Sequence, residues 1–446
     1  MPAPTLVRTL ARCFLAGDPN VDEIVARSSM ALGKQWRWLR PLAKRYVKLF
    51  AGRLRPRHRD VVRFIAYDPR FRRIWAENSP GVSLARWITE PQKMQPVPAA
   101  RDWPVPAIAS AGALAQWLQV ELGELQWFAD LKGRVYKNRL PKLRHYHYRV
   151  MAKLSGSIRL IEAPKPRLKQ LQRQVLSEIL QKIPAHPAVH GFVKKRSIKT
   201  FTAPHVGRDV VLRMDLRDFF PSFARSRIQA LFRAMGYPES VADLLGGVCT
   251  TVTPRDIWDR AAFGEDPLHL WESRWETMAV YFQPHLPQGA PTSPALANLC
   301  AYRLDCRLAG LAASAGAAYT RYADDLAFSG GPEFERRVER FSVHVAAVAM
   351  EEGFQVHHRK TRIMRQGVRQ HLAGIVVNEH ANVRRSDFDR LKATLNNCVR
   401  HGPESQNSES HPEFRLQLQG RVGFVEMLNP ARGKKLRAIF ERIEWT

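Results

Sequence analysis

Acid is what this sequence is short of. Its 446 residues hold 41 Asp and Glu against 70 Lys and Arg, a formal charge of +29. A deficit of that size exceeds what a solvated face needs and implies a polyanionic partner, of which nucleic acid is the commonest. Cysteine is scarce as well. Cys13, Cys249, Cys300, Cys306 and Cys398 form no CxxC pair and no Cys/His cluster of zinc spacing. The odd, sparse count speaks against a disulfide framework and suits a reducing, cytoplasmic setting. Cys300 and Cys306 fall in a helical pattern and read as small core residues. Long apolar runs are missing too: none approaches the roughly 18 residues of a membrane span, so no membrane partner is expected. An anionic membrane surface would call for one basic amphipathic segment, whereas Arg and Lys recur along the whole chain. The start, MPAPTLVRTLARCFLAG, makes a poor secretory signal and reads as an amphipathic first helix.

Residues 1–87 are rich in Arg and Trp. Leu39, Leu42, Val47 and Phe50 recur at helical spacing, which predicts a helical, basic N-terminal domain. Trp36, Trp38 and Tyr46 are interleaved with basic residues and have the makings of a base-stacking surface. Core aromatics beside solvated arginines are the favoured reading. Residues 88–112 contain five prolines and read as a semi-rigid linker.

Beyond it the pattern mixes helices and strands. Leu168, Leu171, Val175, Ile179 and Ile183 share one helical face. DVVLRMDL is β-branched and short, a buried strand ending at Asp215. The stretch from Thr292 to Gly316 has cap-type residues, Pro294 in its first turn and a closing glycine, which predicts one helix. Ser386 to Gly402 predicts another, followed by a polar loop over Gly402–Glu413. Short, non-consecutive strands make this an α+β chain rather than an alternating βαβ series.

Two aspartates stand side by side in TRYADDLAFSG, inside an apolar, strand-like run. Successive strand residues face opposite ways, so Asp324 and Asp325 converge only if the chain turns at Ala323-Asp324-Asp325. A hairpin there, beside the strand carrying Asp215, would gather three carboxylates. Such a group needs cations, and Mg²⁺ is the natural occupant. Two Mg²⁺ about 4 Å apart form the clamp of phosphoryl transfer. A lone Asp-Asp is more often an exposed turn, but the flanks "RY" and "LAF" argue against that here.

At this point the chain resembles the reverse transcriptases. RYADDLAFSG matches their YxDD box. In order, VLRMDLRDFFPS resembles the first catalytic block, LPQGAPTSPALANL the PQG block, GFQVHHRKTRIM the block with a lysine near the leaving pyrophosphate, and RQHLAGIVVN the primer-grip turn. GSIRLIEAPKPRLKQLQRQVL and HGFVKKRSI resemble the two fingers blocks. The likeness covers about residues 140 to 445 and is nearest to the bacterial retron and group II intron lineage. Retrons usually carry Asn-Ala-x-x-His before the first catalytic strand; here His205 is kept, with Phe201 and Thr202 at the Asn and Ala positions. They usually carry Val-Thr-Gly at the primer grip; here it is Leu372-Ala373-Gly374. In the family both boxes are linked to recognising the cognate RNA.

The resemblance implies a right-hand polymerase with fingers over 113–208, palm over 209–376 and thumb over 377–446. It implies Asp215, Leu216, Asp324 and Asp325 as the metal set, and Lys360 as proton donor to pyrophosphate. Phe220 takes the position of the ring under the incoming sugar, which implies dNTP over NTP, with Phe219 as a core partner. Gln288 and Gly289 stand where bare backbone passes close to substrate, although a simple turn explains them equally well. Arg159 and Arg196 are the candidate triphosphate clamps. His145, His147, His357 and His358 lack partners in metal-ligating pattern and read as solvated or backbone-bonded. Trp258, Trp271 and Trp275 read as packing.

The implied activity is RNA-directed DNA synthesis on a structured non-coding RNA serving as template and primer. It yields an RNA–DNA hybrid of the retron multicopy type, in antiphage defence. An effector protein is a further candidate partner. The rivals are another defence-associated or group II intron-like reverse transcriptase, a catalytically dead RNA-binding scaffold, and an RNA-copying RNA polymerase. Intron enzymes usually add a maturase or endonuclease region after the thumb, and none follows before Trp445-Thr446. All three carboxylates are present, and Phe220 speaks against ribonucleotide use.

Overall fold

The computed structural model describes residues 4–51, 54–78, 81–87, 92–138, 140–152, 158–259 and 278–445. Trp271 and Trp275 lie outside them. The chain forms two compact units, residues 1–184 with 220–300, and residues 185–219 with 301–446.

The first unit begins with the helices Pro4–Leu15, Val21–Leu32, Leu39–Phe50, His58–Tyr67 and Pro69–Asn78. Asn20 caps the second by accepting the Asp22 N–H at 2.8 Å. Leu10, Phe14, Ile24, Leu42, Val61 and Ile65 meet in their core. Trp38 and Tyr46 are buried there, against Phe71 and Phe14 with ring centroids 4.9 and 5.1 Å apart. These aromatics are core, so the stacking surface is not built from them. The proline-rich stretch is docked rather than free, because Gln95 and Val97 donate backbone hydrogen bonds to Gly236 and Ala234. Beyond it, β1 (Tyr146–Ala152) and β2 (Ile158–Pro164) pair antiparallel. The helix Pro166–Glu178 follows, burying Leu168, Leu171 and Val175 of the expected face, while Ile179 and Ile183 are buried beyond its end.

The second unit is built on a sheet of β3 (Val210–Asp215), β4 (Ala318–Tyr322), β5 (Asp325–Gly330) and β6 (Arg362–Arg365), in the order β4-β5-β3-β6, with each pairing antiparallel. The β-branched run of β3 puts it at a buried, inner position. A second hairpin, β7 (His371–Leu372) with β8 (Ile375–Val376), turns through Ala373 and Gly374, both at positive φ. That is the requirement of the two-residue hairpin turn, and it accounts for Gly374. The helices Arg385–His401, Phe414–Leu428 and Pro430–Phe440 close the chain around Leu395, Leu418, Val422 and Leu436.

Three expectations need correction. The stretch from Thr292 to Gly316 is two helices, Ser293–Cys300 and Tyr302–Ser314, interrupted at Ala301. Periodicity carries through such a break because the apolar positions stay nearly in phase. Gly316 does close the second helix, at φ +67, with the Ala317 N–H on Ala312 O. Cys306 is exposed rather than core. His145 is buried rather than solvated, edge-on to the ring of Trp127 and beside Phe128, and burial pushes its pKa down to about 4.

Candidate active site

Asp215 ends β3 and Asp325 opens β5, and the two are direct cross-strand partners. Directly opposed residues share a face of the sheet, so both carboxylates emerge on one side. The turn between β4 and β5 is Ala323-Asp324, one residue tighter than expected, because Tyr322 and Asp325 already pair. Ala323 takes φ +54, a conformation costly for a residue with a Cβ. Asp324 thus occupies the tip of the turn, and its carbonyl accepts the Leu216 N–H at 2.9 Å. Leu216 is buried, so only its backbone oxygen is available as a ligand.

Two opposed carboxylates repel, and the sheet answers with basic neighbours. Arg213 lies two residues before Asp215 on the same face, and its Nε and Nη2 donate to Asp325 Oδ1 at 2.9 and 2.7 Å. The chain after Phe354 runs beside β3, with the Arg217 N–H on Gln355 O and the His357 N–H on Asp215 O, both at 2.7 Å. A short turn, His358–Lys360, then brings Lys360 Nζ to 2.8 Å from Asp215 Oδ1. Among the described residues Asp324 has no ion-pair partner, and its own backbone N–H and the charge of Lys360 offset its surroundings only in part. Burial, then the charges of Asp215 and Asp325, push its pKa up to about 6. Burial also raises that of Asp325, against the opposing pull of Arg213. Among the described residues no three His, Cys, Asp or Glu side chains are gathered as a metal cage. The donor set still fits a hard divalent cation, since Mg²⁺ is usually bound by one or two carboxylates completed by substrate phosphates.

The turn is held from behind by residues that the pattern of the sequence did not mark. Arg321 and Asp305 form a fully buried pair, Nε to Oδ1 and Nη2 to Oδ2 at 2.7 Å. Arg321 Nη1 donates to Ala323 O at 3.0 Å, and its guanidinium lies 5.5 Å from the ring centroid of Phe219. Gly191, in the HGFVKKRSI segment, passes so close that a Cβ there would sit 2.7 Å from the Ala323 nitrogen. His205 is buried under the same hairpin. Thr320 Oγ1 gives its one proton to Phe201 O, so His205 Nε2 carries the hydrogen that bonds Thr320, and Nδ1 accepts from Ser329 Oγ, each at 2.7 Å. Phe201 and Thr202 are fully buried beside it, core residues of this unit.

The remaining candidates are distributed. Arg196 donates to the carbonyls of Pro187 (2.6 Å) and Val189, stapling its own loop. Arg159 is exposed on β2 in the first unit. Gln288 O accepts the Glu162 N–H at 2.8 Å, and Gly289, at φ +134, would bring a Cβ to 3.0 Å from Glu162 O. The bare backbone there is required by the approach to β2. Phe219 packs on Phe354 at 5.9 Å as a core partner, and Phe220 is half-buried in the first unit. Trp258 is buried, 5.3 Å from the Tyr281 ring.

A strand-end aspartate paired with a two-aspartate hairpin, with a lysine alongside, is an arrangement suited to metal-assisted phosphoryl transfer. Residues 150–386 match the family model described as reverse transcriptase (RNA-dependent DNA polymerase). The chain is 40% identical over 330 residues to the retron Mx65 reverse transcriptase of Myxococcus xanthus, covering 72% of this chain and 69% of that protein. It is 38% identical over 352 residues to the retron Mx162 reverse transcriptase of Myxococcus xanthus, covering 76% and 67%. It is 30% identical over 239 residues to the retron Ec86 reverse transcriptase of Escherichia coli, covering 53% and 64%. The chain belongs to the reverse transcriptase family, with its similarity to the retron type. It is an RNA-directed DNA polymerase, of a family that depends on divalent metal and acts on a nucleic acid template and primer. No helix among the described residues is long and apolar enough to cross a membrane.

Proposed function

We propose that this polymerase copies a structured non-coding RNA into DNA of the retron multicopy type, in antiphage defence, with an effector protein alongside. Asp215, Asp324, Asp325 and the Leu216 carbonyl hold two Mg²⁺. The pairing of Asp215 with Asp325, with Asp324 on the adjoining turn, is the observation that carries the reading. The +29 charge supports a nucleic acid partner.

The chemistry is displacement at the α-phosphorus of a dNTP. The oxygen of a primer hydroxyl forms the new P–O bond, the bond to the bridging oxygen breaks, and pyrophosphate leaves. Bound magnesium would acidify the attacking hydroxyl and stabilise charge on the leaving oxygens. Lys360 is the proposed donor of a proton to the leaving pyrophosphate, a role supported by its ammonium lying 2.8 Å from Asp215 Oδ1. Arg159 and Arg196 are the proposed contacts to the triphosphate, with Gln288 and Gly289 shaping the approach. Phe220 excludes the 2′-OH. The proposed division is fingers over 113–208, palm over 209–376 and thumb over 377–446, after a basic helical domain over 1–87 and a connecting segment over 88–112.

Primer extension on an RNA template with Mg²⁺ and labelled dNTPs tests the metal set. Wild-type protein extends, and Asp324→Asn with Asp325→Asn does not; extension by the double variant refutes the assignment. Phe220→Ala should raise ribonucleotide incorporation, and unchanged selectivity places the gate elsewhere. Sequencing of copurifying nucleic acid should return one enriched structured RNA, and bulk host RNA would count against the retron role.

A further inference from the structure

We propose that a cavity in the first unit, lined by residues outside the catalytic blocks, binds one nucleotide unit of a single-stranded polynucleotide. The cavity is about 510 Å³, and Phe50, Leu54 and Pro56 form an apolar wall with Arg57, Arg59 and Arg233 among the polar groups that line it. That size falls within the range of small-ligand sites. An apolar wall suits the face of a base, and guanidinium groups suit its phosphate.

Arg233 is the second observation. It lies one residue before the end of the helix Arg225–Ala234 and is only 7% exposed. Its Nε and Nη1 have no hydrogen-bond partner among the described residues. A buried guanidinium with open donors is costly unless an anion meets it. Burial, and then the charge of Arg57, lower its pKa, against the opposing pull of Asp243, Glu239 and Asp60. Of the three carboxylates whose charge reaches it, Asp243 has one oxygen that is also unpartnered among the described residues, and the other two are engaged elsewhere. Asp60, on the cavity wall, accepts the Arg57 N–H at 3.0 Å and caps its helix. Glu239 accepts the His58 N–H at 2.7 Å. Arg55 holds the carbonyls of Leu15 (2.6 Å) and Lys93 through its two Nη groups, and its Nε is unpartnered among the described residues. Arg233 therefore remains to meet a phosphate, with Arg57, whose Nη2 donates to Gln229 Oε1 at 3.5 Å, and the exposed Arg59, 3.7 Å from Asp60 Oδ1, lining the same cavity. This site does not depend on the metal assignment.

In a chain this basic, bulk affinity for RNA reports nothing about one cavity, so the test must be local. Full-length protein is photocrosslinked to an iodouridine-substituted oligouridylate, and crosslinks are mapped by peptide mass spectrometry. A crosslink is expected on the peptide carrying Phe50. Arg233→Met should reduce it about tenfold, the scale of one lost charge-assisted hydrogen bond. Arg59→Ala, at an exposed position, should reduce it as well and guards against a folding failure of the first variant. The double variant Asp324→Asn with Asp325→Asn should retain the crosslink, which separates this site from the catalytic one. Unmodified oligouridylate competing better than the same nucleotide concentration of uridine monophosphate assigns the ligand to a polynucleotide. Equal competition retains the nucleotide chemistry and assigns it to a free nucleotide. Competition by inorganic phosphate as effective as either, no crosslink at Phe50, or a Phe50 crosslink indifferent to both arginine variants overturns the proposal.

Discussion

Arg321 and Asp305 neutralise each other with neither side chain exposed to solvent, and Arg321 spends its remaining reach on the carbonyl of Ala323. A buried pair is a poor source of stability but a costly thing to break. Asp305→Ala leaves a guanidinium uncompensated and should destabilise the protein by about 3–5 kcal/mol in urea unfolding. Replacing the network whole, with Asp305→Leu, Arg321→Met and Tyr319→Phe, should recover most of that loss, because Tyr319 also donates to Asp305. Primer extension should not recover with it, since the Ala323 carbonyl has then lost the guanidinium that fixes the turn carrying Asp324. Recovery of both would mean that the pair supports the fold alone.

Gly191 sets a second constraint on the same turn. A methyl group there meets backbone, the Ala323 nitrogen at 2.7 Å, and backbone in a tight turn cannot swing aside as a side chain can. Gly191→Ala should therefore lower kcat for dNTP addition at least about tenfold, as expected when a small displacement misplaces reacting groups. The change in Tm should be small beside that of Asp305→Ala. Unchanged kcat would show that the approach is not tight in solution.

His205 predicts a pH dependence. Burial pushes its pKa down to about 3, below the ordinary value of 6.5. The unfolded chain then binds a proton between those limits and the folded chain does not, so folding stability is full above pH 6.5 and falls as pH drops below it. The loss attributable to this one ring is about 2 kcal/mol by pH 5. His145 and His190, each lowered to about 4 by burial, act with the same sign, so the test is a difference. His205→Gln, which can still bond Thr320 and Ser329, should show a shallower fall in stability from pH 7 to pH 5 than the wild type. Parallel curves would place the protonated ring comfortably in the fold.

What could be read from the sequence follows from how far each signal reaches along the chain. The strand ending at Asp215 and the helix after Pro166 are written in consecutive residues, and both appear as expected. The two-aspartate turn was legible because acid in an apolar run is a local contradiction. Its tightness was not, since that depends on Ala323 accepting a strained φ under constraint from Gly191 and Arg321. Arg321 itself read as an ordinary flank, because its partner lies on a helix sixteen residues earlier. Arg196 shows what a block position leaves out: besides the phosphate contact proposed for it, its guanidinium holds carbonyls of its own loop, which no local pattern announces. Cys306 misled because helical periodicity tells which residues share a face but not which face meets solvent.

Lys360 distinguishes a counter-ion from an acid. Its ammonium donates to Asp215, but its side chain is 43% exposed, and a pair so open is worth at most about 1 kcal/mol of stability. Lys360→Met should accordingly leave Tm nearly unchanged. If Lys360 protonates the leaving pyrophosphate, loss of that proton should slow incorporation by about 10²-fold or more. Arginine is the informative replacement, because it keeps the positive charge and holds its proton throughout the accessible pH range. Lys360→Arg should then be nearly as slow as Lys360→Met at saturating dNTP. Recovery of the rate with arginine would show instead that charge beside Asp215 is all that the position supplies.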